Sequence, residues 1–496
     1  MTTAMILLPL GAALAIWLAP LDRLSVIGLA LAAVVGEIAL WIATMIRFDW
    51  NSNQIQFAEG VAWFEDLGAA FSIGLFQYSL WLIGMTVIVM GAAVAYAVWA
   101  GRERPRAYFG LMLFLMSATV AVFTAQDLLL FYVAWEAMLI PLYFLVGVWG
   151  GNDRAAATYK FVVYTIAGSL MMLAAIVVYG YQNETFSLNI GQTGTTSTWI
   201  FLGFAAAFAI KAPLFPFHGW LVQAYREAPP EVAAVLSGVI SKTAVYGLLR
   251  IGLFNMTMPA DELRTVLIAF GAAGLIYGSL MAFRQRDLRG IVAYSSLAQM
   301  GLITMGIFAL DIAGIHGAVL QMVNHGLISG VLFLLAGIVE RRTGSGDIAV
   351  LGGMARGRPI LATVVILTGM IALAVPGSTT FAGELLILVG VFSSGWGWTV
   401  AGAIAIVLAA MYALRLISVV LHERKGAAVS DSVRDLRLPE LAFIAPLVAC
   451  LIALSVWPAA VASNPVFPKG ADACKPMADV LRIQETDCPG EPGEAP

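Results

Sequence analysis

Most of this chain consists of apolar runs that are long enough to cross a membrane, separated by polar, glycine-containing or proline-containing joints. One helix needs about 20 apolar residues to span the hydrocarbon core of a bilayer. Only 11% of the residues are charged, whereas a soluble domain usually has about 25%. We therefore predict an all-α polytopic membrane protein with about 14 transmembrane helices. The predicted spans are 4–20, 24–46, 78–99, 107–124, 128–149, 157–180, 198–217, 232–255, 262–283, 288–310, 314–340, 359–394, 398–421 and 439–461.

Basic residues alternate from joint to joint along the chain. The joints after even-numbered helices contain few of them: residues 181–197 have no Lys or Arg, and residues 47–77 have only Arg47. Because cytoplasmic loops carry an excess of Lys and Arg, we predict that the odd-to-even joints are cytoplasmic and that both termini lie outside. The basic residues after odd-numbered helices are Arg102, Arg104, Arg106, Arg154, Lys160, Arg284, Arg286, Arg289, Arg341, Arg342, Arg356, Arg358, Arg424, Lys425, Arg434 and Arg437.

The composition argues against several kinds of partner. A net charge of −3 gives no indication of nucleic-acid binding. The sequence lacks CxxC, HExxH and glycine-rich phosphate-binding motifs, so we expect no redox cofactor and no metal ion on this chain. Cys474 and Cys488 lie in the polar tail at 462–496. On the outer side an oxidising compartment would allow a disulfide between them, and two free thiols are the alternative.

Few ionisable residues remain inside the predicted spans. A charge at the bilayer centre costs at least about 2.5–3.5 kcal/mol, so such a group faces protein or water and usually serves a function. Each group alone could form a structural ion pair, but groups of both signs on five different helices favour an ion path. The central residues are Glu136, Lys211, Lys242, His325 and Glu384, with Glu37 less central.

Two of the predicted spans are interrupted by proline close to a buried charge. Pro213 follows Lys211, so helix seven should end directly after the lysine. Helix twelve is too long for one straight helix and contains Pro376-Gly377 ahead of Glu384. Interrupted helices that lie five helices apart suggest an inverted internal repeat with a site at the breaks, as in many transporters. Two ordinary proline kinks are the alternative.

Helices eight and eleven carry the remaining central groups. Lys242 lies too far from either end of its helix to reach water easily. Gln321 and Ser329 lie one turn either side of His325, so that helix has a polar face. A hydrogen-bonded core histidine is the alternative to a relay group. His218, in the joint after helix seven, is a weaker candidate.

A set of motifs occurs in a characteristic order: WEAMLIPLYFLVGVWG, KAPLFPFHGWL, SKTAVYGLLR, AYSSLAQMG, GAVLQMVNHGLISGVLFLLAG and PGSTTFAGELLIL. Together they resemble the antiporter-like, proton-translocating subunits of respiratory complex I (NADH-quinone oxidoreductase), most closely the subunit M or ND4 type. The resemblance covers roughly residues 60 to 420.

The resemblance implies a fourteen-helix fold with two inverted five-helix repeats and broken helices seven and twelve. The corresponding segments are 1–106 for helices one to three, 107–255 for helices four to eight, 256–425 for helices nine to thirteen, 426–461 for helix fourteen and 462–496 for the tail.

The resemblance also implies a proton relay. Glu136 and Lys211 match the family's ion pair, and Lys242 matches its middle-helix lysine. His325 matches the histidine of helix eleven, and Glu384 matches the acidic residue of helix twelve. Sister subunits and multisubunit cation/proton antiporters usually have lysine at that last position, so glutamate favours subunit M. A subunit of such an antiporter or of a membrane-bound hydrogenase is the alternative, and a self-contained solute transporter is a more distant one.

The family implies that NADH, FMN, iron–sulfur clusters and quinone (ubiquinone or menaquinone) bind to other subunits. Its members associate with other complex I membrane subunits, especially sister antiporter-like subunits, and with membrane lipid. The implied location is the bacterial plasma membrane.

The sequence departs from the family pattern at three places. Gln299 stands where members often have histidine, and an amide cannot carry a titrating proton. The joint after His218 lacks the usual Pro-Asp-Ala-His. Pro229-Pro230-Glu231 is unusual and leaves Glu231 as an additional candidate.

Overall fold

The computed structural model describes residues 1–52, 54–64, 68–188 and 197–463. Within these ranges the chain is a helical bundle with one small β-hairpin. Eleven helical stretches are long and apolar enough to cross a membrane. The shorter apolar helices are Thr2–Leu18, Thr198–Lys211, Pro359–Ala372 and Thr379–Ser394. The protein is therefore a multi-pass helical membrane protein, as the apolar runs predict.

The helices and strands of the described residues occur in the following order along the chain. The first half contains α1 (Thr2–Leu18), α2 (Arg23–Arg47), β1 (Gln56–Phe64), β2 (Ala69–Leu75), α3 (Gln77–Ala100), α4 (Pro105–Thr124), α5 (Leu128–Ala137), α6 (Leu139–Trp149), α7 (Arg154–Asn183), α8 (Thr198–Lys211), α9 (Leu221–Glu227), α10 (Pro230–Val235) and α11 (Ser241–Gly247). The second half contains α12 (Thr257–Arg284), α13 (Leu288–Phe308), α14 (Ile312–Thr343), α15 (Pro359–Ala372), α16 (Thr379–Ser394), α17 (Trp396–Ile417), α18 (Leu438–Val456) and α19 (Ala459–Ala462). Turns of π-helix occupy Leu236–Ile240, Leu248–Leu253 and Ser418–His422.

Every predicted span corresponds to helical residues, but the fifth is not one continuous helix as predicted. It is divided into α5 and α6 at Met138. Pro141 explains the division, because proline has no N–H to donate to the Ala137 carbonyl and its ring clashes with that turn. The predicted interruptions of helices seven and twelve are confirmed: α8 ends at Lys211, and α15 and α16 are separate helices.

Aspartate side chains cap the N-termini of several membrane-crossing helices. Asp127 accepts hydrogen bonds from the backbone N–H groups of Leu129 and Leu130, at 2.8 and 3.0 Å. Asp287 and Asp311 cap α13 and α14 in the same way. Because the first N–H groups of a helix have no partner within it, these caps hold each helix start at the end of the preceding joint.

The joint between α2 and α3 contains an antiparallel β-hairpin that the helix-based analysis of the sequence did not predict. Strand β1 pairs with β2, with Glu59 opposite Ile73. Glu59 accepts a hydrogen bond from the N-terminal ammonium at 2.8 Å. That bond and a second from the Thr3 hydroxyl lower the pKa of the Glu59 carboxyl. The start of α1 is thereby anchored to the hairpin.

Hydrogen bonds between joints show that the chain crosses from face to face in alternation. At one face, Gly151 N–H donates to the Glu227 carbonyl at 2.8 Å, and Arg341 reaches the Ala100 carbonyl at 3.0 Å. At the other, Leu128 N–H donates to the Phe186 carbonyl at 2.8 Å. We call the first side, which holds the odd-to-even joints, the basic face. Its assignment to the cytoplasm stays a prediction.

The eighth crossing lies at the centre of the bundle. Every residue from Pro230 to Leu253 is buried. Helix α14 packs against this crossing, and its residues are also almost all buried. Polar side chains on these two crossings therefore face protein rather than lipid, which is the condition under which charges persist at membrane depth.

A buried ion pair holds the start of this central crossing at the basic face. The Glu231 carboxylate is fully buried and receives two hydrogen bonds from Arg102, at 2.6 and 2.7 Å. The Tyr108 hydroxyl donates a third, at 2.5 Å. Glu231 therefore ties α10 to the joint between α3 and α4, which gives it a structural role.

We expect Arg102→Met to destabilise the protein strongly, because it leaves a buried carboxylate without its cation. Removing one member of a buried pair costs about 3–5 kcal/mol. The thermal unfolding midpoint in detergent measures the effect. The double variant Arg102→Met with Glu231→Gln should regain most of the loss, since it removes the buried charge. A double variant no more stable than Arg102→Met would contradict this account.

Candidate functional site

The ionisable residues singled out from the sequence lie on five crossings, and four of them are deeply buried. The exposed fractions are 5% for Lys211, 0% for Lys242, 4% for His325 and 4% for Glu384. Glu136, by contrast, is only partly buried. Protein atoms must therefore take the place of water around each of the four buried groups.

Lys211 is the last residue of α8, at the point where that helix is interrupted. Its ammonium donates to the Trp135 carbonyl at 3.1 Å and lies 3.7 Å from the centroid of the Trp135 ring. The Trp220 indole N–H donates to the Ile210 carbonyl at 2.9 Å and so satisfies one of the carbonyls that the helix end leaves open. A carbonyl, an aromatic face and the negative end of a helix dipole together stabilise this cation.

Contrary to the prediction, Glu136 is not within ion-pair distance of Lys211, although its charge still acts on the lysine from farther away. Among the described residues, Lys211 has no carboxylate oxygen within 4.0 Å, although its ammonium contacts Trp135, the neighbour of Glu136. Consecutive residues of a helix point in different directions, so the bond to the Trp135 carbonyl does not require the Glu136 side chain to turn inward. Glu136 instead lines an open groove of about 600 Å³ on the outside of the bundle, with Tyr132, Tyr143 and Phe144.

Lys242 lies between two turns of π-helix, in the most deeply buried crossing. Its ammonium donates to the Ser237 carbonyl at 2.7 Å and to the Ser241 hydroxyl at 3.2 Å. The π turn at Leu236–Ile240 displaces the regular hydrogen-bond ladder, and such turns are frequent at functional sites. In the described part of the chain no carboxylate pairs with Lys242, so neutral dipoles alone stabilise this cation.

Three serine hydroxyls lie between the turn that holds Lys242 and His325; we call Ser237, Ser296 and Ser329 the serine bridge. The Lys242 ammonium bonds to the Ser237 backbone carbonyl and not to the Ser237 hydroxyl. Ser237 Oγ donates to Ser296 Oγ at 3.0 Å and lies 2.9 Å from Ser329 Oγ. His325 Nε2 lies 3.1 Å from Ser296 Oγ. Hydroxyl groups both donate and accept, so this bridge can carry a hydrogen-bond chain in either direction.

Three amide side chains connect α14 to Glu384; we call Gln299, Gln321 and Asn324 the amide bridge. Gln299 Nε2 donates to Glu384 Oε1 at 3.2 Å, and Gln321 Nε2 donates to Gln299 Oε1 at 2.7 Å. Asn324 lies 3.4 Å from Gln321 and accepts from the Thr379 hydroxyl at 2.8 Å. The bridge thus ends on α16, directly after the break in helix twelve.

The two bridges lie next to each other on α13 and α14, and no hydrogen bond among the described residues joins them. Ser296 and Gln299 are three residues apart on α13, and Gln321 and His325 are four apart on α14. Residues at these spacings lie on one face of a helix, so both bridges line the same interface. We call the whole arrangement, from Lys242 through the serine bridge and His325 to the amide bridge and Glu384, the central line.

The other candidates lie apart from the central line. His218 is half-buried against Phe215 and Tyr277, with ring centroids 5.7 and 4.9 Å away, and its Nδ1 has no hydrogen-bond partner in the described ranges. Glu231 is engaged by Arg102. Glu37 is fully buried in α2, and neither of its carboxyl oxygens has a hydrogen-bond partner among the described residues.

Several residues of the site were not predicted from the sequence. Ser237 is a single serine in an apolar run, and Ser296 is the second of an adjacent pair with Ser295, so neither indicates a role by its position alone. Trp135 was not recognised as a cation partner, because its carbonyl and ring meet Lys211 only through tertiary packing. Arg250 was also missed: it is buried and donates to Gln126 Oε1 at 2.9 Å near the face opposite the basic face.

No three His, Cys, Asp or Glu side chains in the described parts of the chain are placed to hold a metal ion. Cys474 and Cys488 lie outside the described residues.

Residues 125–410 match the family described as NADH:quinone oxidoreductase/Mrp antiporter, TM. The chain belongs to this family. The match begins at the joint before α5 and ends in α17, so it contains every residue of the central line.

Two relatives align with this chain over most of its length. NAD(P)H-quinone oxidoreductase chain 4 2 from Thermosynechococcus vestitus is 36% identical, over 92% of this chain and 88% of its own. NADH-quinone oxidoreductase subunit M from Rhodobacter capsulatus is 34% identical, over 87% of each chain. Within the NADH:quinone oxidoreductase/Mrp family, this chain is therefore similar to the subunit M and chain 4 members.

Solved structures share the fold. A chain of respiratory complex I from Thermus thermophilus superposes with a TM-score of 0.87 at 28% identity, over 97% of this chain and 100% of that chain. A chain of the Mrp complex from a Dietzia species superposes with a TM-score of 0.83 at 20% identity, over 98% of each chain. The second likeness concerns the fold alone.

Trp135→Leu should lower the thermal unfolding midpoint, because it removes the aromatic face beneath the Lys211 ammonium. A desolvated cation–π contact contributes about 2 kcal/mol, and packing of Trp135 against Phe131 and Phe208 adds to the loss. We expect a smaller drop when the same substitution is made in Lys211→Met, since only the packing loss remains. Equal drops in the two backgrounds would show that the ring does not stabilise the cation.

Proposed function

We propose that this chain is a proton-translocating membrane-arm subunit of NADH-quinone oxidoreductase (complex I). Its membership in the family and its similarity to proteins named subunit M and chain 4 support this assignment. The observation that carries the proposal is the central line. In it the Lys242 ammonium bonds to the Ser237 backbone carbonyl, the serine bridge reaches His325, and the amide bridge reaches Glu384.

The way these charges are stabilised suits proton transfer. Lys211 and Lys242 are stabilised by carbonyls, a hydroxyl and an aromatic ring, and Glu384 is stabilised by an amide. A proton can leave or arrive at such a group without leaving an opposite charge stranded in a low-dielectric interior, which would cost several kcal/mol. The described contacts therefore lower the energetic barrier to changing the charge of each group.

The proton moves in steps between titratable groups. Lys242 exchanges a proton with His325 through water that joins its ammonium to the hydroxyls of the serine bridge, because the Ser237 carbonyl that it contacts cannot carry a proton. The step from His325 to Glu384 runs through water along the amide bridge, because Gln299 cannot titrate. Glu384, next to the break in helix twelve, releases the proton toward the outer side.

Glu136 and Lys211 act as the gate. When Glu136 turns toward Lys211, the carboxylate favours the charged form of the lysine; when they separate, that stabilisation is lost. The present arrangement, with Lys211 on Trp135 and Glu136 in the outer groove, corresponds to the separated state. A carboxylate cannot stay exposed to lipid, so a sister antiporter-like subunit covers the groove in the complex.

The remaining parts of the reaction lie on other subunits. NADH, FMN, iron–sulfur clusters and quinone bind there, and quinone reduction supplies the energy. The basic face is cytoplasmic, and both termini lie outside the bacterial plasma membrane.

A subunit of a multisubunit cation/proton antiporter or a membrane-bound hydrogenase is the second candidate, favoured by the shared fold of the Mrp complex. Glu384 is the residue that argues against it, since the antiporter subunits usually have lysine at that position. Copurification of NADH dehydrogenase activity after mild detergent extraction supports the first candidate, and its absence supports the second.

We expect Glu136→Ala and Lys211→Ala to abolish proton pumping coupled to NADH oxidation while the complex still assembles. Proton uptake into inverted membrane vesicles, divided by NADH oxidised, measures the coupling. Glu37→Gln is the matched control, because Glu37 is a buried membrane carboxyl outside the central line. It should pump normally. A normal proton-to-electron ratio in Glu136→Ala or in Lys211→Ala would contradict the role of these two residues as a gate.

Ser296→Ala tests the central line itself. It removes the hydroxyl that contacts both Ser237 and His325 while changing the side-chain volume little. We expect pumping to fall to a small fraction of the native rate, with Ser393→Ala, whose hydroxyl bonds only within its own helix turn, as the control. Unchanged pumping in Ser296→Ala would show that the relay does not use the serine bridge.

A further inference from the structure

A pocket opens at the basic face where three membrane crossings end. Its volume is about 350 Å³, within the range of small-molecule binding sites. Trp99 lies in the last turn of α3, Arg342 in the last turn of α14, and Arg437 directly before α18. The pocket therefore lies at the depth where helices leave the hydrocarbon region and lipid headgroups begin.

The charges around the pocket do not cancel. The Arg342 guanidinium is paired with Glu440 and donates to the Arg434 carbonyl at 2.8 Å. Glu440 also accepts from the Arg437 backbone N–H at 2.6 Å, so its carboxylate is fully engaged. The guanidinium groups of Arg434 and Arg437 are exposed and have no ion-pair partner in the described part of the chain. Two positive charges are left for an anionic ligand.

Part of the pocket lining is apolar: Trp99, Val433 and Pro439. Trp99 packs against Phe443 with ring centroids 6.0 Å apart, and the Arg341 guanidinium lies 4.8 Å from the Trp99 ring centroid. Leu438, beside Arg437, is 80% exposed. Tryptophan is enriched at membrane interfaces, where one edge of the ring meets headgroups and the other meets acyl chains. A ligand in this pocket would meet cationic groups at one end and apolar groups at the other.

We propose that this pocket binds an anionic glycerophospholipid, with the phosphate held by Arg434 and Arg437 and the acyl chains lying along Trp99 and Leu438. Guanidinium groups bind phosphate oxygens with strong, charge-assisted hydrogen bonds. Basic pockets between crossings on the cytoplasmic side are suited to such headgroups. The bound lipid would join α3, α14 and α18, and this role is independent of the proposed proton relay.

Native mass spectrometry of the full chain in detergent tests the site. The probes are phosphatidylglycerol, phosphatidylcholine of the same acyl composition, and inorganic phosphate. The pocket variant is Arg434→Gln with Arg437→Gln. The control is Arg356→Gln with Arg424→Gln, which removes the same charge from exposed arginines of the basic face outside the pocket. We expect the pocket variant to retain about tenfold less phosphatidylglycerol than the native chain or the control.

Three results would overturn the proposal. Equal loss of phosphatidylglycerol in the pocket and control variants would show that only the overall charge of the face matters. Equal retention of phosphatidylcholine and phosphatidylglycerol by the native chain would show that the headgroup charge is not recognised. Full displacement of phosphatidylglycerol by inorganic phosphate would assign the pocket to a free anion rather than to a lipid.

A second measurement needs no variant, in case the substituted chain folds poorly. Phosphatidylglycerol with a photoreactive diazirine near the top of one acyl chain is added to the native chain and activated. We expect the label on peptides that contain Trp99 or residues 432–440. Labelling confined to other peptides would contradict the assignment.

Discussion

The high cost of an isolated charge in a low-dielectric interior governs how this bundle is arranged. Lys211 and Lys242 are both buried, and within the described structure each ammonium bonds to a backbone carbonyl rather than to a carboxylate. Carbonyl oxygens without an intrahelical partner occur where the helical ladder is disturbed, at a helix end or a π turn. The buried cations and the irregular helices therefore depend on each other.

Prolines cause the two helix breaks that surround Lys211. Pro213 ends α8 beside Lys211, and Pro141 divides the fifth crossing one turn after Trp135. The two disturbed turns meet, so that the lysine of one contacts the carbonyl and ring of the other. The Lys211 ammonium is thereby held in place by Trp135, while the neighbouring Glu136 carboxylate lies in the open outer groove. Such an arrangement separates the part of the site that is rigid from the part that can move.

Much of the fold could be predicted from the sequence, whereas the connections within the site could not. Apolar length located every crossing, and proline located the breaks beside Lys211 and Glu384. The polar face of α14 was also visible, because Gln321 and Ser329 recur at helical spacing around His325. The hairpin of β1 and β2 was missed because the joint was judged only for helix. The expected direct contact between Glu136 and Lys211 is absent because the Lys211 ammonium lies on Trp135 instead, although the Glu136 charge still acts on the lysine.

The sequence by itself determined the class of protein, the positions of the apolar helices, the alternation of basic joints and the family. These follow from apolar length, local charge and ordered motifs, which are properties of neighbouring residues. Only the tertiary structure decided which groups meet: Lys211 with Trp135, Lys242 with Ser237, and Glu384 with Gln299. Those contacts join residues on different helices, or depend on a π turn whose position is set by packing. No local pattern encodes a distance between helices, so the central line emerges only when the crossings pack together.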